Sequence, residues 1–329
     1  MSIHLNLIPK LSIYLGCNES ETVDYINKYH RWYKFFSIDK SNGGKRNILH
    51  PVKQLKAIQY AIIDTFLVDM PVHKIAHAYI PQKKSPLLTS ALRHAQYKYT
   101  VRIDFKDFFP SIQPDDLVLA ARQHYKLNSI DIMVINKALF AVFNETYGLP
   151  IGAPSSPYVS NIIMYDLDEA FLQLAKQTDP QSSITRYADD LYFSTNQRSL
   201  CRKYTSIIHN KLKHTKNPFL TINKNKTLYL SKGTKRIVNG LTITPDGRVT
   251  IGREKKAFIK SSIYKYCQGR LTTKEILKAK GMIAFLKDCE PSYYDSLVQK
   301  FGPDFFSLLS APISAPDPAP SASSSQAPA

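Results

Sequence analysis

The chain has 329 residues, 43% of them hydrophobic and 21% charged. It can therefore bury a core, which excludes wholesale disorder, and with only 12 Gly and 20 Pro it is not fibrous. Lys and Arg number 44 against 26 Asp and Glu, and the resulting +18 points to a polyanionic partner. Length suggests about two domains. Cys17, Cys201, Cys267 and Cys289 lie far apart without a CxxC pair. That spacing argues against a disulfide framework or zinc module and for a reducing, cytoplasmic setting. Residues 1–15 lack a signal-peptide layout. The best apolar stretch, 57–70, is broken by Gln59, Asp64 and Asp69, so no membrane span is expected.

In chain order, 22–33 has helical spacing. The aromatic run 33–38, a turn at Asn42-Gly43-Gly44 and a returning strand at 46–49 read as a hairpin. Residues 52–68 place Leu55, Ile58, Ile62 and Phe66 on one side of a helix. In 97–105, Tyr99, Val101, Ile103 and Phe105 alternate with Arg102 and Asp104, as in a strand. Residues 115–142 are mostly helical, and 160–176 form a second long helix. Residues 184–194 form a hairpin centred on Ala188-Asp189. Strands at 220–230 and 236–243, a turn at Pro245-Asp246-Gly247 and helices at 255–266 and 273–286 follow. Helices and antiparallel strands mix without regular βα alternation, which predicts an α+β fold. No internal repeat is visible. Of the last 20 residues, 17 are Ala, Ser or Pro, so 310–329 reads as a disordered tail.

The sharpest feature is the adjacent pair Asp189-Asp190 at the tip of an apolar hairpin. Alone, it is compatible with ordinary turn chemistry. Asp104 adds a carboxylate inside an otherwise good strand, on the face opposite its apolar row. If strand and hairpin share a sheet, Asp104 and Asp189 converge, and clustered carboxylates are costly unless divalent cations neutralise them. Oxygen ligands suit Mg²⁺. Two such ions, with Mn²⁺ as an alternative, support in-line phosphoryl displacement and hence nucleotidyl transfer.

These residues resemble the reverse transcriptase family. Tyr187-Ala188-Asp189-Asp190 is similar to its YxDD box. Asp104-Phe105-Lys106-Asp107-Phe108-Phe109 is similar to its first catalytic strand. Leu149-Pro150-Ile151-Gly152-Ala153-Pro154-Ser155-Ser156-Pro157 is similar to its LPQGxxxSP loop. The resemblance covers roughly 30–290 and implies a right-hand polymerase with an antiparallel palm sheet. Residues 1–100 would form an N-terminal region and fingers, 101–245 the palm with inserted finger helices at about 113–155, and 246–309 the thumb. It implies that Asp104, Asp189 and Asp190 bind the metals together with the Phe105 carbonyl. Ile151 replaces the family's Gln beside the incoming nucleotide, which leaves nucleotide selectivity open.

The resemblance also supplies a supporting site. Lys45 and Arg46 lie on a segment similar to the fingertip strand and would clamp the triphosphate of a deoxynucleotide. Phe109 would be the steric gate that excludes a 2′-hydroxyl, with Phe108 in the core. Gly152 would allow close approach of a templating base or primer. Lys226, in Asn223-Lys224-Asn225-Lys226-Thr227, would act as general acid toward the pyrophosphate. From 248 to 287, eleven Lys or Arg face only two Glu, with Tyr264, Tyr266 and Phe285 interleaved. Arg253, Lys255, Lys256, Lys260 and Tyr264 would grip a nucleic acid backbone there.

Little chain follows the implied thumb, a pattern similar to bacterial retron reverse transcriptases. Ser90-Ala91-Leu92-Arg93-His94 resembles their NAxxH motif, with Ser for Asn. Val238-Asn239-Gly240 resembles their VTG motif, with Asn for Thr. The resemblance implies that His94 and Asn239 contact RNA or DNA. It further implies a cognate structured non-coding RNA, copied in part into branched, RNA-linked single-stranded DNA, and an anti-phage role with an effector protein encoded nearby. The alternatives are a diversity-generating or abortive-infection reverse transcriptase, or a non-catalytic RNA-binding scaffold. The intact carboxylates argue against a scaffold.

Overall fold

The computed structural model describes residues 3–39, 43–80, 84–143 and 146–311. Side-chain alternation sets its central sheet. Four strands run in the order Leu228–Ser231, Tyr99–Asp104, Asp190–Thr195, Ser183–Tyr187, each antiparallel to its neighbours. Val101, Ile103, Ile184, Leu191 and Phe193 are buried in the core cluster with residues of the helices Tyr165–Thr178 and Arg198–Lys213. Phe105 continues that row by stacking on Phe171, with centroids 6.0 Å apart, and Phe193 stacks on Tyr204 at 4.2 Å. Period two sends Thr100, Arg102, Asp104, Thr185, Asp190, Tyr192 and Ser194 to the opposite face. There the helix Pro86–His94 covers the end remote from the carboxylates, through His94 and Ser90.

The α+β expectation therefore holds, with local differences. The helix expected from 22 begins at Glu19, because Asn18 makes a reciprocal capping box with Glu21. Residues 115–142 split into Pro114–Arg122 and Ser129–Leu139, since Asn128 starts a second helix by capping Asp131. Residues 160–176 are two helices, Ser156–Ile163 and Tyr165–Thr178, broken at Met164. Only Leu228–Ser231 of 220–230 is a strand; Lys224–Lys226 is a 3₁₀ turn. Residues 236–243 break at Asn239 and Gly240, whose φ values of +49° and +77° suit an Asn-Gly turn. The fingertip hairpin pairs Tyr33–Asp39 with Lys45–Pro51. Gly43 and Gly44, both at φ +82°, lead into its second strand, while Asn42 lies outside the described residues.

The chain divides into two compact units. One runs to Asn239 and takes in Ile243–Arg248; the other holds Gly240–Thr242 and the chain from Val249 on. The second unit packs Arg253–Cys267, Thr273–Cys289, Pro291–Phe301 and Pro303–Ser310 around Ile259, Ile263, Ile283, Leu286, Leu297 and Phe305. Ser310, expected in the tail, closes the last of these helices, and Ala311 is buried; 312–329 lie outside the described residues.

Beneath the carboxylate turn lies Arg186, with no exposed surface. Its Nε and Nη2 each donate at 2.7 Å to the two oxygens of Asp168, Nη2 donates to Asn161 Oδ1 at 3.1 Å, and Nη1 donates to Ala188 O at 3.1 Å. Removing one partner of a buried pair strands the other charge and costs about 3–5 kcal/mol, whereas replacing both costs far less. Arg186→Met should lower urea-unfolding stability by about that amount, and Arg186→Met with Asp168→Leu should recover most of it. Equal stability for both variants would show that the pair does not hold the fold.

Candidate active site

Three backbone arrangements bring the acidic residues together. Register places Asp104 opposite Asp190 in adjacent strands, so period two points both carboxylates to the polar face. Ala188 adopts φ +55° in the two-residue turn, and Phe105 N–H donates to Asp189 O at 3.0 Å, which fixes the turn over the end of the central strand. Finally, Asn223 N–H donates to Asp104 O and Lys106 N–H to Thr221 O, both at 2.8 Å. This clasp holds Lys224–Lys226 beside the strand and sets Lys226 Nζ 3.5 Å from Asp104 Oδ1.

The electrostatics are under tension. Asp104 is 6% exposed. Burial pushes the Asp190 carboxyl up to about 7; Arg102, with Nε 3.6 Å from Asp190 Oδ1, opposes that rise, and Asp189 and Asp104 add to it. Asp189 is also raised, chiefly by burial and further by Asp104, against its own backbone N–H, Lys226 and Arg46. The buried oxygens Asp104 Oδ1 and Asp190 Oδ1 accept no hydrogen bond. Such orphaned anionic oxygens are costly in a protein interior and suit a hard cation. Among the described residues, no group of three or more His, Cys, Asp and Glu side chains forms a ready cation cage. The carboxylate oxygens fit a hard divalent cation that completes its shell with waters and substrate phosphates.

Beside Asp189 opens a cavity of about 650 Å³, within the range of small-ligand sites; Asp104 and Asp190 do not line it. Lys45, Arg46, Phe109, Ile151, Asp189 and Lys226 all line it, so six of the residues expected from the sequence meet at one place. Phe105 lines it too, while its ring stacks in the core. Phe108 is buried and Phe109 half-buried, and both line the cavity.

Other expected residues sit differently. Gly152, at φ +117°, accommodates this chain's own fingertip strand: a Cβ there would lie 2.7 Å from Ile48 Cγ2. The adjacent Ile151 C=O accepts from Leu49 N–H at 2.8 Å. His94 cannot reach a nucleic acid, because it is fully buried and its ring nitrogens lie 2.8 Å from Ser194 Oγ and Thr185 Oγ1. Burial holds its pKa down at about 3. Asn239 Nδ2 donates to Ser90 Oγ at 2.8 Å, so the two retron-like motifs join in one internal network behind the carboxylate hairpin.

In the second unit Arg253 is exposed and Tyr264 is 51% exposed. Lys255 donates to Gly240 O and lies over the Phe285 ring. Lys256 is neutralised by Glu290 and sits 4.2 Å from the Tyr293 centroid, and Lys260 lies over the same ring. These three lysines cover aromatic rings of their own unit, so their positions are set partly by internal cation–π contacts.

Three residues escaped the sequence reading. Arg186 was signalled only by a cation inside an apolar strand, which demands a buried partner. Arg102 was visible on the Asp104 face, but its partner depended on strand register. Tyr79 is brought in by tertiary structure alone: its ring lies 6.5 Å from that of Phe109, and Asp189 and Arg46 act on its hydroxyl in opposite directions, beneath the larger upward effect of burial.

The family model described as reverse transcriptase (RNA-dependent DNA polymerase) matches residues 38–263. The chain is 36% identical to the retron Ec83 reverse transcriptase of Escherichia coli over 82% of this chain and 87% of that protein. It is 30% identical to the retron Ec73 reverse transcriptase of Escherichia coli, over 82% and 86%, and 27% identical to the retron Mx162 reverse transcriptase of Myxococcus xanthus, over 82% and 59%. Among solved structures it is similar to a Candida albicans telomerase in complex with a telomeric RNA fragment, with a TM-score of 0.48 and 14% identity over 87% of this chain and 56% of that one. With its carboxylates paired at the end of an antiparallel sheet and its relatives matched over most of their length, the chain belongs to the retron reverse transcriptases and is an RNA-directed DNA polymerase of the right-hand fold.

Proposed function

We propose that this polymerase copies part of a cognate structured non-coding RNA into single-stranded DNA that stays joined to RNA. We further propose that it serves a retron system defending against phage with an effector protein encoded nearby, in the cytoplasm. In this reading 1–100 supply the N-terminal region and fingers, 101–245 the palm and 246–309 the thumb. The supporting observation is the pairing of Asp104 with Asp190, each with an orphaned oxygen, next to Asp189, which lines a cavity together with Lys45, Arg46 and Lys226. That combination of anionic and cationic walls suits a deoxynucleoside triphosphate that brings its own cation.

Asp104, Asp189, Asp190 and the Phe105 carbonyl would hold two Mg²⁺ ions. When bound, these would neutralise the carboxylates and stabilise the attacking hydroxyl and the leaving oxygen. Lys45 and the Arg46 fork hold the triphosphate at the cavity mouth. Phe109 closes the space beneath the sugar. Lys226, half-exposed and ion-paired with Asp104, exchanges that carboxylate for the departing pyrophosphate and can give it a proton.

Asp104→Asn or Asp189→Asn should reduce deoxynucleotide incorporation by at least about 100-fold, since charge stabilisation at the reacting phosphate is lost. Near-normal incorporation by either variant would remove these residues from the chemistry. Because the pKa of Asp190 is raised, metal-free protein loses stability as pH rises from the ordinary carboxylate range through about 7. In EDTA, Asp190→Asn should therefore melt above the wild type at pH 8, with the difference fading at pH 5; an identical gap at both would contradict the raised pKa.

Phe109→Ala should shrink the kcat/KM preference for deoxynucleotides over ribonucleotides on the order of 10–100-fold, and an unchanged ratio would confine Phe109 to packing. The wider reading is checked in cells expressing the gene with its flanking sequence. Extracted nucleic acid should contain a discrete DNA whose mobility shifts after ribonuclease or debranching treatment. An active enzyme that leaves no such species would remove the RNA-linked product and leave the polymerase.

A further inference from the structure

The chemistry above uses one end of the central strand. Tyr99 lies at the other end, five residues from Asp104 or ~17 Å along the strand. There Tyr99 pairs with Ser231 and Thr195. A groove of about 670 Å³ opens beside them, between the edge strand Leu228–Ser231 and the first turn of the helix Arg198–Lys213. Lys98, Arg198, Arg202 and Lys232 line it, and none of its lining residues is acidic. Among the described residues, no ion pair engages these four cations.

The cationic surface continues along the helix. Its 16 residues include Arg198, Arg202, Lys203, Lys211 and Lys213 but no Asp or Glu, and all five cations are exposed. Cys201, Tyr204, Ile208 and Leu212 form its buried face. At about 100° per residue, Arg198, Arg202 and Lys213 share one stripe, whereas Lys203 and Lys211 lie off it; that stripe spans fifteen steps of helix, or ~22 Å. A free phosphate or mononucleotide is held by cations that converge on one point, whereas a line of this length matches successive phosphates of a polynucleotide. Single-strand platforms also need a series of exposed rings. Here Tyr229 is 51% exposed but the helix face offers no aromatic, so the surface suits a duplex read by its backbone.

We propose that this groove and helix face bind the phosphate backbone of a duplex segment of RNA, at a site separate from the catalytic cavity. The proposal rests on the reading that the partner RNA is structured. It assigns to the palm's far end the task of holding a stem while another part of the same RNA is copied.

The test compares the full chain with Arg198→Gln/Arg202→Gln/Lys232→Gln, none of whose positions is buried. Binding of a blunt RNA duplex and of a single strand of equal length is measured across salt concentrations, alongside extension of a short primed RNA template. The triple variant should bind the duplex at least about 10-fold more weakly, with a log–log salt slope shallower by about 2–3, while template extension and melting temperature stay unchanged. Arg198→Lys/Arg202→Lys should keep duplex affinity. Unchanged duplex affinity and slope would overturn the proposal, as would a loss confined to the single strand. Loss of duplex binding by the triple variant in a protein that makes no RNA-linked DNA in cells would uphold the groove and overturn the wider functional reading.

Discussion

A guanidinium with no access to water organises this polymerase domain. Arg186 is tied at once to Asp168 and Asn161 on the two helices beneath the sheet and to the carbonyl of Ala188 in the carboxylate turn. Its own backbone extends the constraint, with Arg186 N–H donating to Ile75 O and His77 N–H donating to Arg186 O. Asn161 Nδ2 in turn donates to Ala78 O, next to Tyr79. One buried cation thus links two helices, the carboxylate hairpin and the segment that places an aromatic ring beside Phe109. Buried ion pairs contribute little net stability relative to apolar packing, but they tolerate few alternative geometries. Here that intolerance fixes the turn that carries Asp189 and leads into Asp190.

The turn presents them at a cost. Burial raises both carboxyls toward neutrality, and the oxygens that face each other across the sheet lack donors. Arg102, Lys226 and Arg46 offset part of that cost without making close hydrogen bonds to the orphaned oxygens. A site whose charges are left partly unpaired is poised for ligands that carry the missing charge. Under the proposed function, a cation and a triphosphate entering beside Asp189 would relieve that cost.

Much of this was legible in the chain. Alternation through Tyr99–Phe105 separated the apolar row from Arg102 and Asp104, and the YADD and LPIGAPSSP segments marked the turn and the loop beside it. Lys45, Arg46, Phe109, Ile151, Asp189 and Lys226 converge because each sits at an element end that the motifs had flagged. What was illegible depended on tertiary closure. His94 resembled a contact residue, yet it lies behind the hairpin because its helix packs on the sheet's polar face. Gly152 signalled a close approach, but only the fold reveals that the approaching group is Ile48. Single helices expected at 115–142 and 160–176 were divided by an Asn128 cap and a bend at Met164, local events weaker than the hydrophobic pattern around them. The helix Arg198–Lys213 carries an apolar stripe through Cys201, Tyr204, Ile208 and Leu212, but five cations and several polar residues among its 16 mask that stripe in the sequence.

Burial holds the Asp190 carboxyl at about 7, and under the proposed function Asp190 would lose its remaining proton when the site is loaded. Calorimetric titration of the metal-free protein with Mg²⁺ and a deoxynucleoside triphosphate at pH 7, in two buffers of different ionisation enthalpy, counts the protons released on binding. With the pKa of Asp190 near 7 before loading, about half a proton should leave the wild-type protein beyond the release measured for the Asp190→Asn variant. Equal proton release from both proteins would contradict the account, because it would mean that loading the site takes no proton from Asp190.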